Sequence, residues 1–572
     1  MRNESVALAA RRAEGGALFT GRRRSLVRLA ALACLAAPAT LQLAGTPASA
    51  DTAAAKLASG RPVAGPPFGH AQPSSAPAAL APAETSPWKR LTNAPPIVPG
   101  TMLLASDGTV LVHDEPETGA TGDWYRLTPD SKGNYVDGTW SKIASMPAGY
   151  APLYFASAIL PDGRMIVEGG EYNGTDPNGV WTNRGAIYNP VTNSWRTVAP
   201  PPGWANIGDA QSDVLANGTF MLAQACQNCT AANGSLSTAD ALFNATGLSW
   251  TVLGGAGKND PNDEEGWTLE PSGQLLTVDT WLTPSTELFT PTSLSWSSAG
   301  STVTSPVNSP QVEIGPQVNV PGGNTFVVGG GTASELPPEP CTTHKAAATA
   351  LYDYATASWV KGPAIPTVGG LQYDSADGPG TVLPDGNVLF DVSPCVFDTP
   401  LAFLLYNTTT NKLSPVPDVP NAAFDSTYYT RLLALPNGQV LFDDGSSKME
   451  LYTAGGAPNP EWAPSVTALS ATSFTPGQTG SLSGTQLAGL DQGAAYGDDV
   501  QDHTNFPLVR ITNAKSGVVT YAPTRDWSSV SVAPGAASST SFTVPKSTPA
   551  GASTLVVVAN GISSAGVPVT IR

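Results

Sequence analysis

Charge is scarce in this chain of 572 residues, of which only 13% are Asp, Glu, Lys or Arg. Long surface helices rich in Lys, Glu and Leu are therefore excluded as its main material. Histidine is scarcer still, with four copies, His70, His113, His344 and His503. None has a second histidine at ligand spacing, so a zinc or non-haem iron centre is unsupported. Basic residues are outnumbered, 28 Lys and Arg against 45 Asp and Glu, and seven of the bases lie in the first fifty residues. A surface this acidic repels phosphate backbones and anionic lipid, which argues against nucleic acid or membrane-surface binding as the main task. Neutral polysaccharides, small neutral ligands and cations remain. Beyond the N-terminal region no run is long and apolar enough to span a bilayer. Neither a nucleophile elbow nor a phosphate loop nor a dinucleotide glycine pattern occurs in a suitable strand-to-helix context.

What is plentiful is glycine (58), proline (53) and tryptophan (13), the material of an all-β protein with many turns. The chain opens with Arg23-Arg24-Ser25-Leu26-Val27-Arg28, an apolar stretch from Leu29 to Ala44, and Ala48-Ser49-Ala50. This pattern is read as an export signal over residues 1–50, of the Tat or the Sec type, placing the mature protein outside the cytoplasm. Residues 51–87, mostly Ala, Pro, Gly and Ser, are expected to be a disordered linker.

From residue 88 to 462 the chain repeats. A β-run with a glycine turn recurs at Ser106-Asp107-Gly108, Pro161-Asp162-Gly163, Ala216-Asn217-Gly218, Pro271-Ser272-Gly273, Pro321-Gly322-Gly323, Pro384-Asp385-Gly386 and Pro436-Asn437-Gly438, and the first four glycines are spaced 55 residues apart. Asp-Gly and Asn-Gly suit tight hairpins because they accept positive φ. A late tryptophan keeps the same beat at Trp140, Trp195, Trp250, Trp296 and Trp359. Two hairpins per unit make a four-stranded blade, so a β-propeller of seven blades is predicted. The last unit is one strand short, and Trp88-Lys89-Arg90-Leu91 is expected to supply that strand. From residue 463 to 572 the beat stops, and alternating strands such as Thr554–Val558 predict an immunoglobulin-like β-sandwich.

The Asp-Gly turns, the Gly169-Gly170 and Gly329-Gly330 pairs and the late Trp resemble kelch repeats. Kelch blades followed by an early-set sandwich resemble the galactose oxidase family. That resemblance implies a copper held by two tyrosines and two histidines, with one tyrosine cross-linked to a cysteine. Tyr154 matches the cross-linked tyrosine, but Pro96–Met102, where its partner should lie, has no cysteine. Tyr428 matches the tyrosine of the family's Tyr-His pair, yet Tyr429 replaces the histidine. A hairpin of the last domain, Tyr496–His503, resembles the one that supplies the other histidine, so His503 or Gln501 is the candidate there. Tyr154, Tyr428 and His503 are thus the metal candidates, and Tyr154, Tyr428 and Tyr429 the catalytic ones, of a copper site that looks degenerate. Copper fits this set less well than calcium fits the acidic mouth described next.

Cys226, Cys229, Cys341 and Cys395 remain after removal of the signal, an even count that favours disulfides in an exported protein. Cys226 is expected to bridge to Cys229, and Cys341 to Cys395. The segments leading into each blade's inner strand should converge at the channel mouth, bringing Asp263, Glu264, Trp267, Tyr373, Asp374, Asp377, Asp425 and Arg431 together. Rings stack on sugar faces and carboxylates accept hydroxyl protons, and clustered carboxylates suit calcium. The leading expectation is a secreted monomeric protein that binds extracellular carbohydrate, or a small neutral ligand, without copper radical chemistry. Its rivals are a copper-dependent oxidase of primary alcohols or aldehydes, and a glycoside hydrolase or polysaccharide lyase built on the acidic mouth.

Overall fold

A computed structural model describes residues 86–572 except 117–118, 175–180, 231–232, 308–311, 331, 334–343, 346, 369–370 and 497–501. The export signal, almost all of the linker, Cys341 and Gln501 lie outside the described residues. The turns form for the reason their sequences suggest. Gly108, Gly163, Gly218, Gly273, Gly386 and Gly438 all have φ between 74° and 85°. The residue before most of these glycines caps the turn: Asp107, Asp162, Asn217, Asp385 and Asn437 each accept the backbone N–H two residues on with Oδ1. Glycine supplies the left-handed step and the side-chain oxygen satisfies the amide that the turn strands.

The hairpins assemble into four-stranded antiparallel meanders. Their innermost strands are Pro99–Leu104, Ala156–Ile159, Ser212–Val214, Thr268–Leu269, Ile314–Val320, Pro379–Val382 and Arg431–Ala434. Each of these touches the next, and the last touches the first, so the strands ring a central channel. Burial follows radius, since Pro99–Leu104 is buried throughout whereas the outer strand Thr139–Lys142 is mostly exposed. The last sheet is completed by Trp88–Arg90, which pairs with Glu450–Thr453 in the register Trp88↔Tyr452. An N-terminal strand closing the C-terminal sheet ties the ring shut and covers an edge that would otherwise stay open.

The periodic tryptophans staple neighbouring sheets. Trp140, Trp195 and Trp250 donate their indole N–H to the carbonyls of Asn93, Ala144 and Ala199, one repeat upstream, at 2.8–3.0 Å. Trp359 does the same to Ala299 at 3.1 Å, and Trp88 to Pro417 at 2.6 Å. A half-buried indole offers a large apolar face and one donor, which is what a sheet-to-sheet contact needs.

The chain ends in a sandwich of two sheets. One contains Ser465–Leu469, Thr479–Thr485, Ala537–Thr543 and Thr524–Arg525, and the other is built on Leu508–Asn513, Gly551–Ala559 and Val567–Ile571. Phe474, Leu482, Ile511, Phe542, Leu555 and Val557 fill the space between them. One strand, Ala494–Tyr496, leaves the sandwich and pairs with Pro379–Val382 on the channel wall. No helix among the described residues is long and apolar enough to cross a membrane.

Candidate functional site

Three of the segments that lead into inner strands meet. Glu264, Glu313 and Asp377 precede the inner strands of the fourth, fifth and sixth sheets, and their carboxylate oxygens lie within 4.8 Å of one another. Glu264 and Asp377 adopt left-handed backbone conformations, with φ of 60° and 50°. The Asp377 N–H donates to the Ile314 carbonyl at 3.0 Å, tying the sixth segment to the fifth. Asp263 holds the fourth segment in shape, accepting from the Trp281 indole at 2.9 Å while its carbonyl accepts from Thr280. Three carboxylates at this separation suit a hard cation such as calcium, or sugar hydroxyls that need acceptors. No other trio of His, Cys, Asp and Glu this close occurs among the described residues.

The other residues expected at the mouth are buried, as Glu264 and Glu313 also are, and each has partners of its own. Trp267 is only 1% exposed and packs on Trp296, and Tyr373 is 3% exposed in the core between the fifth and sixth sheets. Neither offers a sugar an open ring face, because apolar rings beside an inner strand are drawn into the gap between sheets. Asp374 shapes its own loop, accepting the N–H groups of Ala376 and Val396. Asp425 is fully buried, and burial, with Asp444 and Glu450 nearby, pushes its carboxyl up to about 9. Arg431 is buried in the channel wall, donating to the Thr430 carbonyl at 2.9 Å and lying 4.0 Å from Glu115.

Further polar groups are buried in and beside the channel wall. His113 lies within the strand Val110–Asp114; its Nε2 donates to the Thr121 carbonyl and its Nδ1 lies 2.9 Å from Glu115 Oε1. Glu115 also accepts from the Thr101 N–H. Burial raises its carboxyl, but His113, Arg431 and that amide outweigh it and hold the group below its usual value. The sandwich is plugged into the channel by Gln492, which donates to both oxygens of Asp213 at 3.0 Å and accepts the Leu269 N–H at 2.8 Å. His503 Nδ1 lies 3.5 Å from the same Asp213. Burial lowers the imidazole's pKa, and the Asp213 and Asp502 carboxylates more than restore it, so the net shift is upward. A Gln thirteen residues after the sandwich's second main strand begins carries no local signal, so only the folded topology reveals it.

The copper set that the resemblance implies is incomplete here, since Pro96–Met102 holds no cysteine and Tyr429 stands in the place of a histidine. His503 meets both Asp213 and Gln492 through Nδ1, the latter at 3.3 Å. Tyr428 is packed among Phe397, Tyr429 and Ala376, and Tyr429 donates its hydroxyl to the Phe424 carbonyl at 2.9 Å. Burial raises both phenols. Tyr154, at φ 53°, meets Tyr172 edge-on at 6.2 Å. Cys226 and Cys229 form a disulfide, with Cα atoms 5.9 Å apart, and Cys395 is also disulfide-bonded.

No family model and no curated protein matches this chain. Among solved structures, it is similar to a fungal alcohol oxidase of the AA5 family in complex with copper, at 14% identity and a TM-score of 0.47, over 85% of this chain and 99% of that one. It is also similar to YjhT, at 15% identity and a TM-score of 0.38, over 56% of this chain and 99% of that one. A third is the extracellular domain of a hybrid two-component system from B. thetaiotaomicron, at 9% identity and a TM-score of 0.41, over 83% of this chain and 57% of that one.

Proposed function

We propose that this chain is an exported propeller protein that binds an extracellular carbohydrate at the channel mouth, without copper radical chemistry. The observation that carries the reading is the meeting of Glu264, Glu313 and Asp377 from three successive sheets. Carboxylates presented by a rigid ring accept sugar hydroxyls directly and are suited to sharing a calcium ion with them. The missing cysteine in Pro96–Met102 and Tyr429 in the place of a histidine support the non-oxidative half of the reading.

Affinity electrophoresis of the full chain against a panel of neutral polysaccharides, with calcium and with chelator, tests it. At least one polysaccharide is expected to retard the protein, and Glu313→Gln to weaken that retardation by about tenfold, the worth of one charged hydrogen bond. No retardation by any of the panel, or a Glu313→Gln variant that binds as well as the parent, overturns the reading. Stoichiometric copper with a tyrosyl-radical absorption after oxidation would favour the oxidase instead.

A further inference from the structure

A second cavity lies away from the acidic mouth, between the second and third sheets. It has a volume of about 380 Å³ and is lined by Asn173, Trp181, Thr182, Asn183, Arg184 and Asn206, with Ala205 at its edge. That size suits a single sugar unit. In a chain with a formal net charge of −17, this lining contains, among the described residues, a guanidinium and no carboxylate.

The polar groups are held in place from behind. Asn206 donates to the Trp181 carbonyl at 2.7 Å, and Asn183 to the Trp204 carbonyl at 3.0 Å. Asn173 accepts the Ala151 N–H at 2.8 Å. The Thr182 hydroxyl oxygen accepts the Arg184 N–H at 3.2 Å, which leaves its proton to donate. Backbone partners thus fix the amides of Asn183 and Asn206 while sparing a carbonyl oxygen on each. Arg184 itself is exposed, and its guanidinium has no ion pair and no hydrogen bond among the described residues.

From this lining we infer that the cavity is a second binding site, for a saccharide unit bearing one carboxylate. The planar fork of Arg184 matches a carboxylate at two points, and the fixed amides and the Thr182 hydroxyl match ring hydroxyls. A single carboxylate is specified because the whole protein's negative field opposes a dense polyanion.

The test is calorimetry on the full chain with methyl glucuronoside and its uncharged twin, methyl glucoside, followed by a uronate oligosaccharide to separate a free sugar from a chain unit as the source. The glucuronoside is expected to bind at least about tenfold more tightly than the glucoside. Arg184→Gln should erase that preference. Arg196→Gln, which removes the same charge from an exposed outer strand, should keep it, and so should Glu313→Gln at the mouth. Equal binding of the two glycosides, or an unchanged preference in Arg184→Gln, overturns the assignment. Because the mouth variant is read separately, loss of neutral polysaccharide binding there neither supports nor damages this site.

Discussion

Glu264 and Glu265 are neighbours in the chain and do opposite things. Glu265 is fully buried, with one oxygen 2.8 Å from the Lys258 ammonium and the other accepting from Gln211 and Thr277. Lys258 is buried too; it also bonds Glu287 at 3.1 Å and lies 5.0 Å from the Trp296 ring centroid. Glu264 instead faces Glu313 and Asp377. The chain bends through residues 262–264, with a left-handed step at Glu264, and the two neighbouring side chains take different partners. A run of acids in sequence therefore contains two kinds of site, and backbone direction decides which residue joins the ion-paired interior and which joins the mouth.

The largest difference between the two should appear when the cluster of Glu265 and Glu287 loses Lys258. Lys258→Met leaves Glu265 and Glu287 buried without their counter-charge and is expected to cost about 3–5 kcal/mol of folding stability. Lys142→Met, which breaks an exposed pair with Asp123, should stay within about 1 kcal/mol. Urea unfolding of the two variants makes the comparison, and adding Glu265→Gln and Glu287→Gln to Lys258→Met should recover part of the loss. Equal midpoints for Lys258→Met and the parent would mean that the interior cluster is no different from a surface pair.

A smaller effect follows from protons. Burial, then the charges of Asp260 and Glu287, push Asp279 up to about 8, from an ordinary value of 3.8, with Lys258 opposing. Burial likewise lifts Asp240 to about 7. A carboxyl whose folded pKa exceeds its unfolded one binds its proton more tightly in the fold. The fold is therefore most stable, with respect to these groups, below about pH 4, and it loses stability as pH rises towards about 8. Asp279→Asn should flatten that slope by roughly 1–3 kcal/mol between about pH 5 and about pH 8. Denaturant midpoints at the two pH values measure it, and an unchanged slope would show that Asp279 shares no proton with the cluster.

The architecture was legible because its signals are local. An Asp or Asn before a positive-φ glycine makes its own hairpin, and an indole one repeat away from its acceptor marks the seam between sheets, so repetition alone announced the propeller fold. The strand at Trp88 was legible by counting, since the last repeat lacked one. The meeting of Glu264 and Asp377 was legible in part, because each precedes an inner strand and neighbouring inner strands touch. Burial could not be read from position, and Trp267, Tyr373, Asp425 and Arg431 are all buried. Gln492, Glu115 and Arg184 escaped notice because their partners lie on other sheets or on the sandwich, and no spacing in the sequence encodes those contacts.

The smallest expected change is the one that isolates the mouth side of the pair. Glu264→Gly removes a carboxylate but preserves the backbone, since glycine takes φ of 60° without strain. Relief of the left-handed strain of a non-glycine residue favours the variant by roughly 1–2 kcal/mol, and the extra freedom of glycine in the unfolded chain opposes it by roughly 0.5–1 kcal/mol. The two terms nearly offset, so the unfolding midpoint should move by less than about 1 kcal/mol. The same variant should lose polysaccharide retardation as Glu313→Gln does. Loss of binding at constant stability would separate Glu264 from its structural neighbour, whereas a stability loss like that of Lys258→Met would place both glutamates in one interior network.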